Sequence, residues 1–202
     1  MKLNKYFAAP LAAAGLFFCL NGAAVAQKGV NADTPPSAIS TDSGQTRGDV
    51  RFAREAAEGG MLEVELGKLA VQKATNEKVK EFGQRMIDDH SRADDQLRSI
   101  AAKDNIKLPT ELDSRNRATV DRFSRMTGTE FDRVYARDMA RDHQNDVTAF
   151  EREANSGFNP DLKNFANSTL PTLRDHLRLA KDNERAMGIT SSRRNPNNYE
   201  SK

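Results

Sequence analysis

The sequence predicts an all-α fold: an antiparallel four-helix bundle with a short extra helix in the crossover. Three observations carry that prediction. Between Asp49 and Met187 the apolar residues recur at spacings of three and four and almost nowhere at two, the period of a helix and not of a strand. β-Branched residues, which strands favour, are sparse over the same stretch. Four of the five helices so marked are long and carry a wide apolar stripe, and the connections between them run short, long, short.

The helices are predicted near 49–74, 76–104, 112–126, 129–156 and 160–187. Asn76 is suited to cap the second, its side-chain oxygen taking an N–H that the first turn leaves free. Pro109 closes the linker ahead of the third, Gly128 and Thr129 open the fourth, and Gly157 stops it. Asn159 and Pro160 then supply a cap and a preset φ at the start of the fifth. The turns inside the first and last pairs are too short for anything but antiparallel neighbours. About two dozen residues separate the pairs, and two helical hairpins joined by a long crossover are the ferritin-like connection.

The ends of the chain have other compositions. Lys2 and Lys5, an apolar run from Phe7 to Leu20 and then Ala24-Val25-Ala26 follow in the order of a secretory signal, so residues 1–26 are expected to be a signal peptide cut after Ala26. The run is too short to span a bilayer, so no transmembrane segment is expected. Phe17 and Phe18 ahead of Cys19 also argue against a lipid-attachment cysteine. Residues 27–48, with the stretch NADTPPSAISTDSGQTRGD, read as a disordered linker and 189–202 as a disordered tail, leaving 49–188 as one bundle domain. Cleavage removes the single cysteine, and with it any disulfide or thiol chemistry. It also removes two lysines and no acid, taking 31 basic residues to 29 against 29 acidic ones. Balanced charge argues against nucleic acid or an anionic membrane surface as the main partner, since both favour a basic excess. The expected compartment is the periplasm, with an envelope protein as the kind of partner.

The chain has three histidines, and two of them close the same pattern, M-x-x-D-H, at Met86–His90 and Met139–His143. The third, His176, also follows an aspartate, Asp175. At about 100° per residue, Glu63 falls in the middle of the apolar stripe of the first helix, with Phe52, Leu66 and Ala70 beside it. His90 falls among Val79, Met86 and Leu97, His143 among Met139, Val147 and Phe150, and His176 among Phe165, Leu173 and Ala180. All four lie near the middle of their own helices, so one glutamate and three histidines are expected to converge on one layer. Histidine with carboxylate in a bundle interior suits zinc, copper, nickel or iron better than calcium or magnesium. Asp94 and Asp146, on the same inner faces as His90 and His143, are candidate further ligands or acceptors that orient the imidazoles. Asp89, Asp142 and Asp175 sit about 100° off the inward direction, where an arginine of a neighbouring helix or the rim of the site is the expected partner. The repeated pentapeptide also hints at related halves.

The stretches FAREAAEGGMLEVELGKLA, VKEFGQRMIDDH, FDRVYARDMARDH and TLPTLRDHLRLA resemble the bacterial exported proteins grouped as domain of unknown function 4142, over about Val50 to Met187. That resemblance implies a ferritin-like bundle in the cell envelope and brings no biochemical activity with it. One departure from the wider ferritin-like pattern matters. Di-iron members place a glutamate three residues before each ligand histidine, and here those positions are Ile87, Ala140 and Leu173. No di-iron centre is expected.

Two readings of the histidine layer remain open on the sequence: one transition-metal ion held by Glu63, His90, His143, His176, Asp94 and Asp146, or a metal-free network in an envelope interaction or stress-protection protein. Met86 and Met139 are either thioether ligands for copper(I) or core filling. No phosphate loop, nucleophile elbow or cysteine marks a catalytic centre, so no catalytic residue is expected.

Overall fold

The computed structural model describes residues 42–189, with side chains from residue 47 onward. The expected signal peptide, the linker up to residue 41 and the tail beyond residue 189 lie outside the described residues. Five helices appear: α1 Asp42–Lys73, α2 Glu77–Lys103, α3 Ser114–Ser124, α4 Gly128–Ser156 and α5 Pro160–Ala186. There is no strand among the described residues, and no helix among them is long and apolar enough to cross a membrane. Four of the five start within two residues of the positions that periodicity predicts. The exception is α1, which begins at Asp42 and not near residue 49. The added stretch carries no apolar stripe for periodicity to detect, and extending an existing helix costs far less than nucleating one.

Local chemistry sets the boundaries. The Asn76 side chain accepts from the N–H of Lys78 at 2.9 Å, and that of Asn159 accepts from Asp161 and Leu162 at 2.9 Å each. Gly128 opens α4 at φ +61, a left-handed value that a side chain would strain. α1 packs against α2 and α4 against α5, while α1–α4 and α2–α5 complete a square. Neighbours run antiparallel: Lys103 at the end of α2 pairs with Asp161 at the start of α5. α3 lies against α1. Between α1 and α2 the backbones nearly touch, because a Cβ at Gly67 would sit 2.7 Å from the carbonyl oxygen of Gly83.

The apolar interior is in two pieces. One, toward the start of α1, is built on Phe52, Leu97, Phe150, Leu162, Phe165 and Leu173. The other, toward the end of α1, holds Leu66, Phe82, Met86, Phe131, Tyr135 and Met139. Each large side chain so buried stabilises the fold by about 1.5–3 kcal/mol. Glu63, His90, His143 and His176 all fall in the gap between these clusters.

The two hairpins are related, though not through the repeated pentapeptide, whose copies lie on the diagonal helices α2 and α4. Positions 83 residues apart correspond instead: Asp49 with Asp132, Ala53 with Ala136, Ala57 with Ala140, Glu63 with Asp146, Asn76 with Asn159, and Phe82 with Phe165. The first pair acts reciprocally. Asp132 of α4 accepts from the N–H groups of Thr75 and Asn76 at 3.1 and 3.0 Å and from the Thr75 hydroxyl at 2.6 Å, closing the α1–α2 turn. Asp49 of α1 accepts from the N–H groups of Phe158 and Asn159 at 3.1 and 2.7 Å, closing the α4–α5 turn. Each hairpin thus caps the turn of the other and fixes how the two dock.

Candidate metal centre

Each long helix contributes one buried polar side chain to the layer between the two apolar clusters. His143 and His176 are 0 % exposed, Glu63 5 % and His90 7 %. One ring nitrogen of each histidine lies within 4.8 Å of those of the other two. Ring centroids are 5.7 Å apart for His90–His143, 5.3 Å for His90–His176 and 5.2 Å for His143–His176. Apolar neighbours on the same helix faces carry these rings inward, so their position follows from the stripe that drives packing.

Proton accounting decides what the rings can do. Burial pushes all three histidines toward the neutral form: His143 to about 3, His90 well below its ordinary value, and His176 downward despite the opposing pull of Asp89. A neutral imidazole has one N–H and one lone pair. His143 Nδ1 lies 3.0 Å from the carbonyl oxygen of Met139, which can only accept, so the proton sits there and Nε2 carries the lone pair. His176 Nε2 lies 2.9 Å from Oδ2 of Asp89. Burial pushes the Asp89 carboxyl up, but hydrogen bonds from His176 and Arg92 and the charge of Arg85 outweigh it and hold it ionised. His176 therefore donates from Nε2 and keeps its lone pair on Nδ1. His90 Nδ1 lies 3.1 Å from Oε2 of Glu63, and its Nε2 is buried with no hydrogen-bond partner. With Glu63 ionised, His90 donates from Nδ1 and three lone pairs are left over. Two of them, on His143 Nε2 and His176 Nδ1, face each other at 3.3 Å.

Carboxyl groups adjoin this layer on one side. Glu63, His143 and Asp146 form a second set whose donor atoms lie within 4.8 Å of one another. Burial pushes the Glu63 carboxyl well up, with Asp146, Asp142 and Asp94 adding to it. Asp146 rises to about 7 through burial and the charge of Asp142. No nitrogen or hydroxyl donor satisfies Glu63 Oε1, since His143 Nδ1 lies 3.4 Å away with its N–H directed at Met139.

A model of one family, described as a domain of unknown function (DUF4142), matches residues 34–182. The chain belongs to the DUF4142 family. No curated protein matches the sequence. Among solved structures, a DUF305 protein of Streptomyces coelicolor superimposes with TM-score 0.61 at 13% identity, over 71% of this chain and 94% of that one. A DUF305 fragment from Deinococcus radiodurans gives TM-score 0.60 at 14% identity, over 71% and 97%. At such identities the likeness is one of fold, and it is the helical fold that the sequence predicts.

The site residues expected from sequence are distributed as follows. The structure brings Glu63, His90, His143 and His176 together and adds Asp146 beside Glu63. Asp94 is buried and pushed up to about 6 by burial, yet it belongs to neither set. Its carboxylate packs against Gly60, where a Cβ would collide with it. Met86 and Met139 are fully buried in one apolar cluster, and Met139 serves His143 through its carbonyl. Asp175 pairs with Arg85 of α2 at 2.7 Å, the kind of arginine partner its wheel position predicts. For Asp89 the sequence suggests an arginine of a neighbouring helix or the rim of the site; it holds the His176 ring instead, and the arginines beside it, Arg85 and Arg92, are on its own helix. A helical wheel gives its angle on α2 but not that the angle faces the histidine of α5.

Proposed function

We propose that this protein binds one transition-metal ion in the bundle core through His90, His143 and His176, and that it does so as an exported, periplasmic member of its family. The observation that carries the reading is the set of three buried, converging ring nitrogens. Each ring has its N–H held from behind, by Glu63 for His90, the Met139 carbonyl for His143 and Asp89 for His176. Acceptors behind the rings fix tautomer and orientation and raise ligand basicity at metal-binding histidines. Two lone pairs turned toward each other repel, and a cation between them removes the repulsion. Neutral nitrogens and no thiolate suit zinc, copper, nickel or ferrous iron. Three protein ligands leave a coordination position for an exogenous group. In this assignment Glu63 orients His90, and Asp146 and Asp94 lie outside the ligand set.

Export rests on the signal-like first 26 residues and on the description of the Streptomyces coelicolor neighbour as a secreted protein. Titrating zinc into the mature protein while following thermal melting tests the metal site. One equivalent should raise the melting temperature, and His143→Ala should abolish the rise. Asp89→Asn should keep the stoichiometry and weaken affinity about 10–100-fold. A melt indifferent to zinc, copper, nickel and iron would overturn the assignment.

A second reading, a metal-free network in an envelope interaction or stress-protection protein, draws on the same N–H groups being partnered. In it His176 is protonated on both nitrogens and donates to Asp89 and to His143 Nε2, against the downward push of burial on that ring. It also leaves His90 Nε2 buried and unpaired. Under it, alanine at any of the three histidines only lowers stability, by about 1–3 kcal/mol.

A further inference from the structure

A cleft of about 460 Å³ opens between α1, α4 and the crossover segment. Its walls carry Glu55, Glu58, Asp113, Asp142 and Asp146, and Glu63 reaches it from the core. Among the described residues Arg54 is the only basic one lining it, and its guanidinium donates to the backbone carbonyl of Lys107 at 3.3 Å. Glu58 and Asp113 are tied to the crossover: Glu58 accepts from the Asp113 N–H and the Asn116 amide, and Asp113 from the Asn116 N–H. Asp142 and Asp146 are one turn apart on α4 and lead inward to Glu63.

Behind the cleft lies a cavity of about 30 Å³ lined by Gly59, Gly60, Glu63, His90 and Asp146 among others. Gly59, Glu63 and Asp146 line both spaces. A Cβ at Gly59 would meet nothing within 4 Å, so open space adjoins the backbone where cleft and cavity meet. Two buried atoms without hydrogen-bonding donors or partners belong to residues lining that cavity, Glu63 Oε1 and His90 Nε2.

We propose that this acidic cleft is the path by which a divalent first-row transition-metal cation enters and leaves the bundle core, passing at Gly59, with Asp146 and Glu63 as the carboxylates it meets on the way to the three histidines. The inference rests on the metal reading above and adds its route. Carboxylates around a low-dielectric cleft concentrate cations and speed their arrival, an effect that salt screens. Asp146 and Glu63 supply oxygen donors where cleft and cavity meet. An ion moving inward exchanges these oxygen donors for the ring nitrogens of the histidine layer.

Stopped-flow uptake of Co²⁺ by the mature protein, followed by cobalt absorption and paired with release into a chelator, tests the route. Gly59→Leu fills the passage at a helical position with room for a side chain and leaves the three histidines unchanged. It should slow uptake and release by the same factor, about tenfold or more, and leave the equilibrium affinity within about twofold. Asp142→Asn should slow uptake several-fold and flatten its dependence on ionic strength. Asp95→Asn, in the cleft on the other side of α1, should load at the wild-type rate. Cobalt binding by the wild type with unchanged rates in Gly59→Leu and Asp142→Asn overturns the route and leaves the metal site standing. Equal slowing by Asp95→Asn and Asp142→Asn also overturns it. No cobalt binding by the wild type overturns the site and the route together.

Discussion

The two hairpins of this bundle are alike in the residues that build the scaffold and unlike in the residues that carry the candidate chemistry. At positions 83 residues apart, Asp49 matches Asp132, Glu63 matches Asp146 and Asn76 matches Asn159. The histidines have no such partners. Opposite His90, His143 and His176 stand Leu173, Gly60 and Ala93. The same helical environment is therefore packed once with apolar or small residues and once with imidazoles, which teaches that the fold itself does not call for histidine. Burying an imidazole with an unpaired nitrogen costs about 1–3 kcal/mol, and a layer that carries this cost at positions the scaffold fills otherwise points to a role outside folding.

The largest effect comes from making the halves alike at that layer. His90→Leu with His176→Ala, the residues found at the equivalent positions, should weaken metal binding more than 100-fold. The metal-free protein should lose no stability, or gain up to about 2 kcal/mol as unpaired polar atoms leave the core. Urea unfolding in the presence of a chelator checks the second part, and a loss of 3 kcal/mol or more would make the layer structural.

Breaking the matched caps should cost next most, and unequally. Asp132 takes three donors and Asp49 two, so Asp132→Ala should lower stability by about 2–3 kcal/mol and Asp49→Ala by about 1–2. Equal losses in denaturant melts would mean that the Thr75 hydroxyl bond adds nothing.

The caps differ in one neighbour. Beside Asp49 stands Glu153, a buried carboxyl with Oε1 unpartnered, whereas the equivalent position on α1 is Ala70. Burial, then Asp49, pushes Glu153 from an ordinary 4.5 up to about 7, and Lys163 only partly offsets this. The folded protein thus holds a proton that the unfolded chain releases, so stability falls as pH rises from about 4.5 to about 7 and stays low above it. Glu153→Gln should gain about 1 kcal/mol at pH 8, discounted for solvent in the adjoining cleft, and nothing at pH 4. Thermal melts across that range would contradict the assignment if the gain were independent of pH. The smallest effect belongs to the exposed faces: changing Arg178, paired with Asp175 and Asp182 on its own helix, to Ala should leave the denaturant midpoint essentially where it is.

How much of this was legible in the sequence follows from what a helical period encodes. It encodes the angle of each residue about its own axis, which is why Glu63 and the three histidines are found inside. Height came from antiparallel midpoints, and the gap between the apolar clusters agrees with it. The period says nothing about which neighbour lies across an edge position, so the bond from His176 to Asp89 was out of reach. It is also silent on turns, where Asp49 and Asp132 act across the bundle and not within their own helices. The relation of the halves was hidden because Asp49, Asp132, Glu63 and Asp146 are single polar positions spread among ordinary helix residues. The repeated M-x-x-D-H drew attention to helices that are not equivalent.

The central claim, that three histidines from three helices share one metal ion, is tested most directly by anomalous diffraction at the zinc edge from crystals of the mature protein grown with one equivalent of zinc. The account predicts a single strong peak in the core within bonding distance of His90, His143 and His176, about 2.0–2.1 Å from each nitrogen. Peaks confined to surface carboxylates, with the layer between the two apolar clusters bare of anomalous density, would contradict it.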